Sequence, residues 1–344
     1  MIAATYTQGR KLDIIEVPVP TIGEGESLLK VEATAICGTD TKIARAGHRK
    51  LNPGQRIILG HEFVGSIVAG VGQGRRVGIA PNWGCGNCPA CIGGMANMCP
   101  DFSAFGINTD GSHAAYVRIP AAVVAQGNMV DLPEGISWAE AALAEPLSCC
   151  LNGQKAARLA PGDTVLIYGA GPMGMLHVLL AVASGAAQVI LADPNSLRLQ
   201  QAGQIADIIP IRSDTQSVPD EVTRITGGAG VDVVLVAAPV RAIAEEGLAM
   251  LAPFGRLCLF AGLPKDDAHV RLDGNLIHYR NLSVVGTSGG CTNDYRTAMR
   301  LIAGRRVDVR PVISHTFPLS RLNEAYDVAF SGKCMKVVIT GENA

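Results

Sequence analysis

The chain has 344 residues and a formal net charge of −1, and 48% of its residues are apolar. This length predicts two domains, and the apolar fraction is high enough to give each of them a core. The near-neutral charge, with no long basic run, argues against nucleic acid and against an acidic membrane surface as partners. The longest apolar stretch, residues 165–187, is interrupted by GAGPMG. This pattern predicts a strand, a turn and a helix instead of a membrane span.

Short segments of β character, separated by Gly, Pro and Asn, dominate the first part of the chain. They predict a compact, mostly β domain whose loops carry functional residues. The segments are SLLKVEATAI, FVGSIVAGV, RRVGIAP and AAYVRIP.

Four cysteines lie close together within the β-rich part, at Cys85, Cys88, Cys91 and Cys99. Thiolates at these short spacings can surround one zinc ion, so the segment predicts a structural zinc site. The alternatives are unrelated core cysteines or a disulfide cluster, and disulfides need an oxidising compartment. The N-terminal MIAATYTQGRKLDI has no apolar core of a signal peptide, so we expect a reducing, cytoplasmic location.

Strands alternate with helices from residue 152 onward. This alternation of apolar strands with helices predicts a parallel sheet covered on both faces. After residue 288 the alternation stops, and a helix (DYRTAMRLIAGRR) and a last strand (KVVIT) follow. The predicted strands are 164–168, 188–193, 206–211, 231–238, 255–262 and 282–288, and predicted helices include 172–185 and 241–251.

A glycine motif, Gly169-x-Gly171-x-x-Gly174, directly follows the first of these strands and opens a helix, with Pro172 and Met173 inside it. A lone motif of this kind is weak evidence, but its place between strand and helix is that of a dinucleotide-binding turn. The first glycine permits the tight turn, the second lets the backbone approach a pyrophosphate, and the third lets helix and strand pack closely. The N-terminus of the helix then faces the phosphates.

The next predicted strand ends in Asp193. A carboxylate there can accept hydrogen bonds from the adenosine ribose hydroxyls and would repel a 2′-phosphate, which favours NAD over NADP. The alternative is an ordinary aspartate that caps its turn with Pro194 and Asn195. Arg198 lies nearby, where it can soften the discrimination or pack on the adenine side.

Four further residues are candidate ligands of a second metal ion: Cys37, His61, Glu62 and Glu145. Each alone is unremarkable, because a single Cys is often a core residue and a His-Glu pair is often solvated. Together, one thiolate, one imidazole and one carboxylate form a mixed shell with an open position, which a catalytic zinc requires. In that position zinc can bind a hydroxyl group and lower its pKa.

Several segments together resemble the zinc-dependent medium-chain alcohol and polyol dehydrogenases, over essentially the full chain. The chain looks most similar to the branch of the sorbitol and threonine dehydrogenases. The resemblance implies an α/β protein with a GroES-like, mostly β catalytic domain (1–151 and 288–344) and a Rossmann NAD-binding domain (152–287). The matching segments are CGTD, GHE, the four-cysteine segment, EPLS, GAGPMG and GKCMKVVI.

The resemblance also implies site residues. Cys37 and His61 would bind the catalytic zinc, and Glu62, Glu145 or water would complete the shell. Thr39 matches the Ser/Thr that passes on the substrate proton in this family, although it can also simply cap the following helical turn.

The function implied by the resemblance is hydride transfer between NAD and a secondary alcohol, such as a polyol or sugar alcohol. Two zinc ions per chain and a homodimer or homotetramer are implied as well. The alternatives are an enzyme that acts on a β-hydroxy amino acid such as L-threonine, and a nonenzymatic, zinc-stabilised NAD-binding sensor.

The chain departs from the family pattern at three places. Lys42 stands where many polyol dehydrogenases have His, His113 stands where relatives often have Phe, and the loop GVGQGRRVG is short. His113 can bind a polar or anionic group of the substrate, or it can be a packed core histidine.

Overall fold

The computed structural model describes residues 1–9 and 12–341. The chain forms two compact units, Met1–Ser148 with Gly290–Ala344, and Cys149–Gly289. Among the described residues, no helix has both the length and the apolarity to cross a membrane.

The strands are β1 (Ile2–Thr7), β2 (Leu12–Glu16), β3 (Ser27–Ile36), β4 (Arg56–Ile58), β5 (Glu62–Gly70), β6 (Arg76–Ile79), β7 (Asn82–Trp83), β8 (Ser103–Ala104), β9 (Tyr116–Ile119), β10 (Met129–Asp131), β11 (Thr164–Tyr168), β12 (Gln188–Asp193), β13 (Ile209–Arg212), β14 (Val231–Val236), β15 (Leu251–Leu259), β16 (Ser283–Gly286), β17 (Ile313–Pro318) and β18 (Lys336–Thr340). The α-helices are α1 (Gly38–Ala46), α2 (Pro89–Ile92), α3 (Ala121–Ala125), α4 (Trp138–Ala142), α5 (Ala144–Ala156), α6 (Pro172–Ala183), α7 (Ser196–Ile205), α8 (Val218–Ile225), α9 (Arg241–Ala249), α10 (Gly274–Arg280), α11 (Thr292–Ala303) and α12 (Leu322–Ser331).

The first unit is built on a mixed sheet of order β10-β6-β5-β3-β18-β17, in which β9 also pairs with β3. Strand β3 is central because it pairs with β5 on one edge, and with β9 and then β18 on the other. Its first residues alternate between buried and half-buried positions, as expected for a sheet with one face on the core, and its last four are all buried. The buried end of β3 leads directly to Cys37.

The second unit holds a parallel sheet of order β13-β12-β11-β14-β15-β16. Its central strands are buried on both faces, and helices α6 to α9 connect successive strands, which confirms the predicted parallel sheet with covered faces. The chain order reverses between β11 and β14. In sheets of this type, ligands bind outside the carboxyl ends of the strands at such a switch point.

Two strands of this sheet begin three or four residues away from the positions that the sequence predicts. Strand β13 begins at Ile209 because α7 continues to Ile205 and the next residues form its cap and a connecting segment. Strand β15 begins at Leu251, because the residues just before Gly255 belong to the strand and do not form a separate turn. The pairing of β15 with β14 shifts register at this point. The exposed Phe254 there has a positive φ of 65°, which sequence periodicity does not reveal.

Candidate zinc and dinucleotide sites

The four cysteines of the predicted structural site lie around one point. The sulfur atoms of Cys85, Cys88, Cys91 and Cys99 all lie within 4.8 Å of one another, and none forms a disulfide. A tetrahedral zinc with Zn–S bonds of about 2.3 Å places its sulfurs about 3.8 Å apart, so the four side chains fit such an ion. We name this segment, residues 84–99, the four-cysteine lobe.

The backbone of the four-cysteine lobe is adapted to hold the sulfurs close together. A Cβ atom at Gly84 would lie 2.3 Å from Sγ of Cys91, so a larger residue would displace that sulfur. The backbone amide of Cys85 donates a hydrogen bond to Sγ of Cys99 over 3.4 Å. Hydrogen bonds from the backbone amides of Asn87 and Cys88 lower the pKa of the Cys85 thiol to about 7. A thiolate, the form that binds metal, is therefore accessible near neutral pH.

A second cluster of ligand atoms is formed by Cys37, His61 and Glu62, again within 4.8 Å of one another. Cys37 follows the last residue of β3, and Glu62 is the first residue of β5. The two strands are antiparallel, and Ala35 of β3 pairs with Glu62 of β5. This register brings the end of β3 beside the start of β5, which is why residues far apart in sequence meet.

Glu145 lies outside this cluster of ligand atoms. It is the second residue of α5 and is only 6% exposed. Burial lowers the pKa of Lys336, whereas nearby negative groups raise it, and Glu62 has the largest effect among them. Glu145 is close enough to be one of these groups. The role of Glu145 as a ligand stays a prediction.

Asp40 supports two of the cluster residues, and the sequence analysis missed it. Its carboxylate is completely buried, and it accepts hydrogen bonds from the backbone amides of Cys37 (2.8 Å) and Gly60 (3.2 Å). Oδ1 also lies 3.4 Å from Nδ1 of His61, which is buried and has no well-aligned hydrogen-bond partner. A carboxylate behind a histidine is the arrangement that orients metal-binding imidazoles. The available signal was Asp at the third position of a helix that begins after Cys37.

These close charges shift the pKa values of the buried groups. Burial by itself raises the pKa of Asp40, but its buried neighbours, His61 foremost, lower it well below its usual range. Burial by itself lowers the pKa of His61, but Asp40 and Cys37 raise it well above its usual value. The cluster is therefore a concentration of negative charge that attracts a cation.

Lys336 is a second residue that the sequence analysis missed. Its Nζ lies 2.5 Å from both carboxylate oxygens of Glu62 and 3.4 Å from the carbonyl oxygen of Ile36. Both side chains are buried, at 3% and 0% exposure for Lys336 and Glu62. Burial lowers the pKa of Lys336, but Glu62 and then Cys37 raise it above its usual value, so the ammonium stays charged. The only hint in the sequence is one Lys in an otherwise apolar last strand.

The other predicted residues of this site lie on or near α1. Thr39 is half-buried at the second position of α1, and Lys42 is exposed on the same helix. His113 is completely buried and contacts Tyr326 and Ala35, so it packs in the interior of the first unit.

The glycine motif has the geometry of a phosphate-binding turn. Gly169 has a φ of 103°, which favours glycine, and a Cβ atom at Gly174 would lie 1.6 Å from the carbonyl oxygen of Gly169. At Gly171 a Cβ would meet no atom within 4 Å, so the space above the N-cap of α6 is open. Pro172 and Met173 form the first turn of α6, where backbone amides lack partners within the helix. The motif fits an anionic pyrophosphate.

Asp193 at the end of β12 contacts this turn. Its Oδ2 accepts a hydrogen bond from the backbone amide of Ala170 and its Oδ1 accepts one from that of Asn195, both over 2.7 Å. It therefore caps its own turn and also holds the glycine turn. Each oxygen keeps a lone pair for a ribose hydroxyl. Arg198 lies in the first turn of α7, where its backbone amide donates to Oδ1 of Asn195.

A cavity of about 390 Å³ lies in the second unit, beyond the carboxyl ends of β11 and β13. It has polar and apolar walls, and Tyr168 donates a 2.5 Å hydrogen bond to Glu246 in it. The size and the place at the strand ends suit one ring system of a nucleotide. The lining residues are Tyr168, Ser213, Gln216, Ser217, Val218, Pro219, Ile243 and Glu246.

Comparison with known proteins agrees with this fold. Residues 23–131 match the family "Alcohol dehydrogenase GroES-like domain", and residues 172–304 match "Zinc-binding dehydrogenase". The chain therefore belongs to the family of zinc-dependent medium-chain dehydrogenases, and it is an oxidoreductase of the alcohol dehydrogenase type. The predicted GroES-like and Rossmann fold is confirmed.

Individual relatives extend over nearly the whole chain. L-threonine 3-dehydrogenase of Pyrococcus furiosus is 34% identical over 95% of this chain and 94% of its own. Sorbitol dehydrogenase of Bacillus subtilis is 31% identical, and the match covers 98% of this chain and 97% of that protein. The crystal structure of a putative zinc-binding dehydrogenase from Sinorhizobium meliloti 1021, bound to NADP, is 29% identical with a TM-score of 0.87, and the match covers 98% of both chains.

We expect Cys99→Ser to remove the structural zinc and lower the free energy of unfolding by more than about 2 kcal/mol, because a lost metal site is among the largest single-residue effects. Thermal unfolding and the zinc content per chain measure this. Cys334→Ser, which changes a half-buried cysteine outside both clusters, is the matched control and should retain both values. A normal zinc content in Cys99→Ser would contradict the assignment.

Lys336→Met should destabilise the metal-free protein by about 3–5 kcal/mol, since the Glu62 carboxylate is then left buried without its cation. Denaturant unfolding with and without zinc measures this, and zinc should recover part of the loss by taking over as the counter-charge. The double variant Lys336→Met with Glu62→Gln removes both charges and should cost less than Lys336→Met alone. Equal stability of Lys336→Met and the unchanged protein would refute the role of this ion pair.

Proposed function

We propose that the chain is an NAD-dependent dehydrogenase that oxidises the secondary alcohol of a small polyol or sugar alcohol. The observation that carries this proposal is the cluster of Cys37, His61 and Glu62, a mixed ligand set, in a chain of the zinc-dependent dehydrogenase family. A cluster of this composition differs from the closed shell of four thiolates in the four-cysteine lobe, because it leaves a position open for substrate.

Two zinc ions per chain follow from the proposal. Cys37 and His61, with Glu62 or Glu145, would hold the catalytic ion, and the four-cysteine lobe would hold the structural ion. When bound, the catalytic zinc lowers the pKa of a coordinated hydroxyl group and NAD accepts the hydride from the alcohol carbon.

The residues of the chain position the reactants and move the proton. The Thr39 hydroxyl, two residues after Cys37 on the first turn of α1, accepts the proton of the alcohol and passes it outward. The exposed Lys42 further along α1 takes the place where many polyol dehydrogenases have a histidine, which makes the outward route different in this chain. Asp40 holds Cys37 through the backbone amide of that residue and holds His61 through its imidazole ring.

The cofactor is held by the second unit. The amides at Gly171 and the first turn of α6 bind the pyrophosphate, and Asp193 accepts from the ribose hydroxyls while it holds the amide of Ala170. The cavity next to Tyr168 receives the adenine. The buried carboxylate of Asp193 favours NAD, because it would repel the 2′-phosphate of NADP. The related structure from Sinorhizobium meliloti is bound to NADP, so both nucleotides are included in the test.

L-Threonine is the second candidate substrate, because relatives at 34% identity are L-threonine 3-dehydrogenases. Both candidates are small, polar secondary alcohols. The low aromatic content of the chain, 4%, leaves little stacking surface for a large flat substrate and agrees with either of them.

Zinc-loaded protein with NAD should form NADH from one or more polyols faster than from L-threonine or a simple secondary alcohol. Cys37→Ala should lower kcat/KM at least about 100-fold, since it removes a metal ligand, and should leave NADH binding intact. Absorbance of NADH gives the rates, and NADH fluorescence gives the binding. Cys334→Ala is the control.

Preference for L-threonine would select the second candidate. If the protein binds zinc and NADH but oxidises none of these alcohols, the enzyme proposal fails and the NAD-binding sensor remains.

Asp193→Asn should reduce the ratio of kcat/KM for NAD to that for NADP by about 10- to 100-fold, because hydrogen bonds to a charged acceptor contribute about 1.5–3 kcal/mol. The amide keeps the size of the side chain, so the glycine turn is disturbed less than in an alanine variant. Asp214→Asn changes an exposed carboxylate that pairs with Arg212 and serves as the control. An unchanged ratio in Asp193→Asn would show that Asp193 only caps its turn.

A further inference from the structure

His113 and Tyr326 form a buried polar pair within the first unit. Nδ1 of His113 lies 2.6 Å from the Tyr326 hydroxyl, and Nε2 lies 3.3 Å from the carbonyl oxygen of Ala35. The two rings meet edge to face, with centroids 5.5 Å apart. Both polar ring atoms of His113 are thus in contact with fixed partners.

The partners determine which nitrogen of His113 carries the proton. A carbonyl oxygen can only accept, so Nε2 must carry the hydrogen that points toward Ala35. Burial is the largest influence on the pKa of His113 and lowers it, which favours the neutral ring. Nδ1 is then the acceptor, and the Tyr326 hydroxyl donates to it. Only this arrangement satisfies both contacts, so the direction of the Nε2–H bond is fixed.

The Nε2 edge of the ring also lies near the carboxylate of Asp40. Nε2 lies 4.0 Å from Oδ2 of Asp40, and this oxygen also accepts the backbone amide of Cys37. In a fully buried environment an N–H dipole at this distance stabilises the ionised carboxylate. His113 therefore acts on the group that holds Cys37 and His61.

His113 also covers the turn that leads to His61. A Cβ atom at Gly60 would lie 2.5 Å from Cδ2 of His113, and Gly60 has a φ of 97°. The backbone amide of His113 donates to the carbonyl oxygen of Leu59, and that of Ser112 donates to the carbonyl oxygen of Gly60. Ring and backbone together hold residues 59–60 against the segment 112–113.

We propose that His113 is a positioning residue that acts through Asp40 and the Gly60 turn to fix Cys37 and His61, and so sets how firmly the catalytic metal is held. This inference rests on the proposed function, because it takes Cys37 and His61 as ligands. A phenylalanine at this place would supply the ring over Gly60 but no N–H group near Asp40. The histidine therefore places a polar N–H group within 4.0 Å of the carboxylate that supports the metal site.

The test compares two variants of the full chain with cobalt in the catalytic site and zinc in the four-cysteine lobe. In His113→Phe with Tyr326→Phe, both polar partners become rings of similar size, so no buried hydroxyl is left unpaired. Tyr326→Phe alone is the matched control, since it keeps the Nε2–H group. The rate at which a chelator removes cobalt, followed by its visible absorbance, is the readout, and thermal unfolding and zinc release from the lobe are measured in parallel.

We expect the double variant to release cobalt about 10- to 100-fold faster than the unchanged protein, at a similar melting temperature and with unchanged zinc release. Tyr326→Phe should stay within about 2-fold, because it retains the Nε2–H group near Asp40. His113→Gln, whose terminal amide can return an N–H group toward Asp40, should recover slow release and remains informative if the double variant does not fold.

Three results would overturn the proposal. Cobalt release from the double variant at the rate of the unchanged protein would show that His113 does not position the ligands. A parallel loss of melting temperature and of both metals would show a role in general stability only. Absence of a cobalt spectrum that depends on Cys37 in the unchanged protein would refute the proposed function itself, and with it the role of His113.

Discussion

The pairing of β3 with β5 on one edge and with β18 on the other is the constraint on which the candidate metal site depends. Cys37 lies at the end of β3, and His61 and Glu62 lie at the start of β5, so the antiparallel register brings these side chains together. The second pairing brings in β18, whose first residue, Lys336, is 274 residues away from Glu62 in sequence. A one-residue slip of either pairing would turn these side chains to the opposite face of the sheet.

A change of this register would separate buried charges from their partners and would therefore lower the stability of the fold. Asp40, Glu62 and Lys336 are at most 3% exposed, and each is stable in that environment only with its partners in place. Asp40 holds two backbone amides, and Lys336 contacts both oxygens of Glu62. The polar interactions thus specify one arrangement of the strand ends, while the surrounding apolar residues supply most of the stability.

The sequence was sufficient for features that are local or periodic. The glycine turn and the four-cysteine lobe each lie within one short segment, the alternation of strands and helices is a repeating pattern, and the structure has all three. The supports of the second metal cluster could not be predicted in this way. Asp40 acts through backbone amides, and Lys336 and Tyr326 come from the far end of the chain, so only the folded register reveals what they contact.

The sequence also left the meaning of single residues open, because one side chain can serve two roles. Asp193 caps its turn and holds the glycine turn at the same time. Its role as a cap therefore does not prevent it from also accepting a hydrogen bond from a ribose hydroxyl. His113 was open between substrate contact and core packing, and its complete burial decides for packing. Burial and hydrogen-bond partners settle such questions, whereas residue type alone does not.

The balance of charge around Cys37 gives a physical reason to expect a divalent cation there. With Cys37 as a thiolate, the cluster and its direct supports carry three negative charges, on Cys37, Asp40 and Glu62, and one positive charge, on Lys336. A divalent cation supplies the two charges that are missing. Burial by itself disfavours a charged His61, whereas Asp40 and Cys37 raise its pKa well above its usual value. The raised pKa of His61 and the expected attraction of a divalent cation thus have one origin, the excess of negative charge around Cys37.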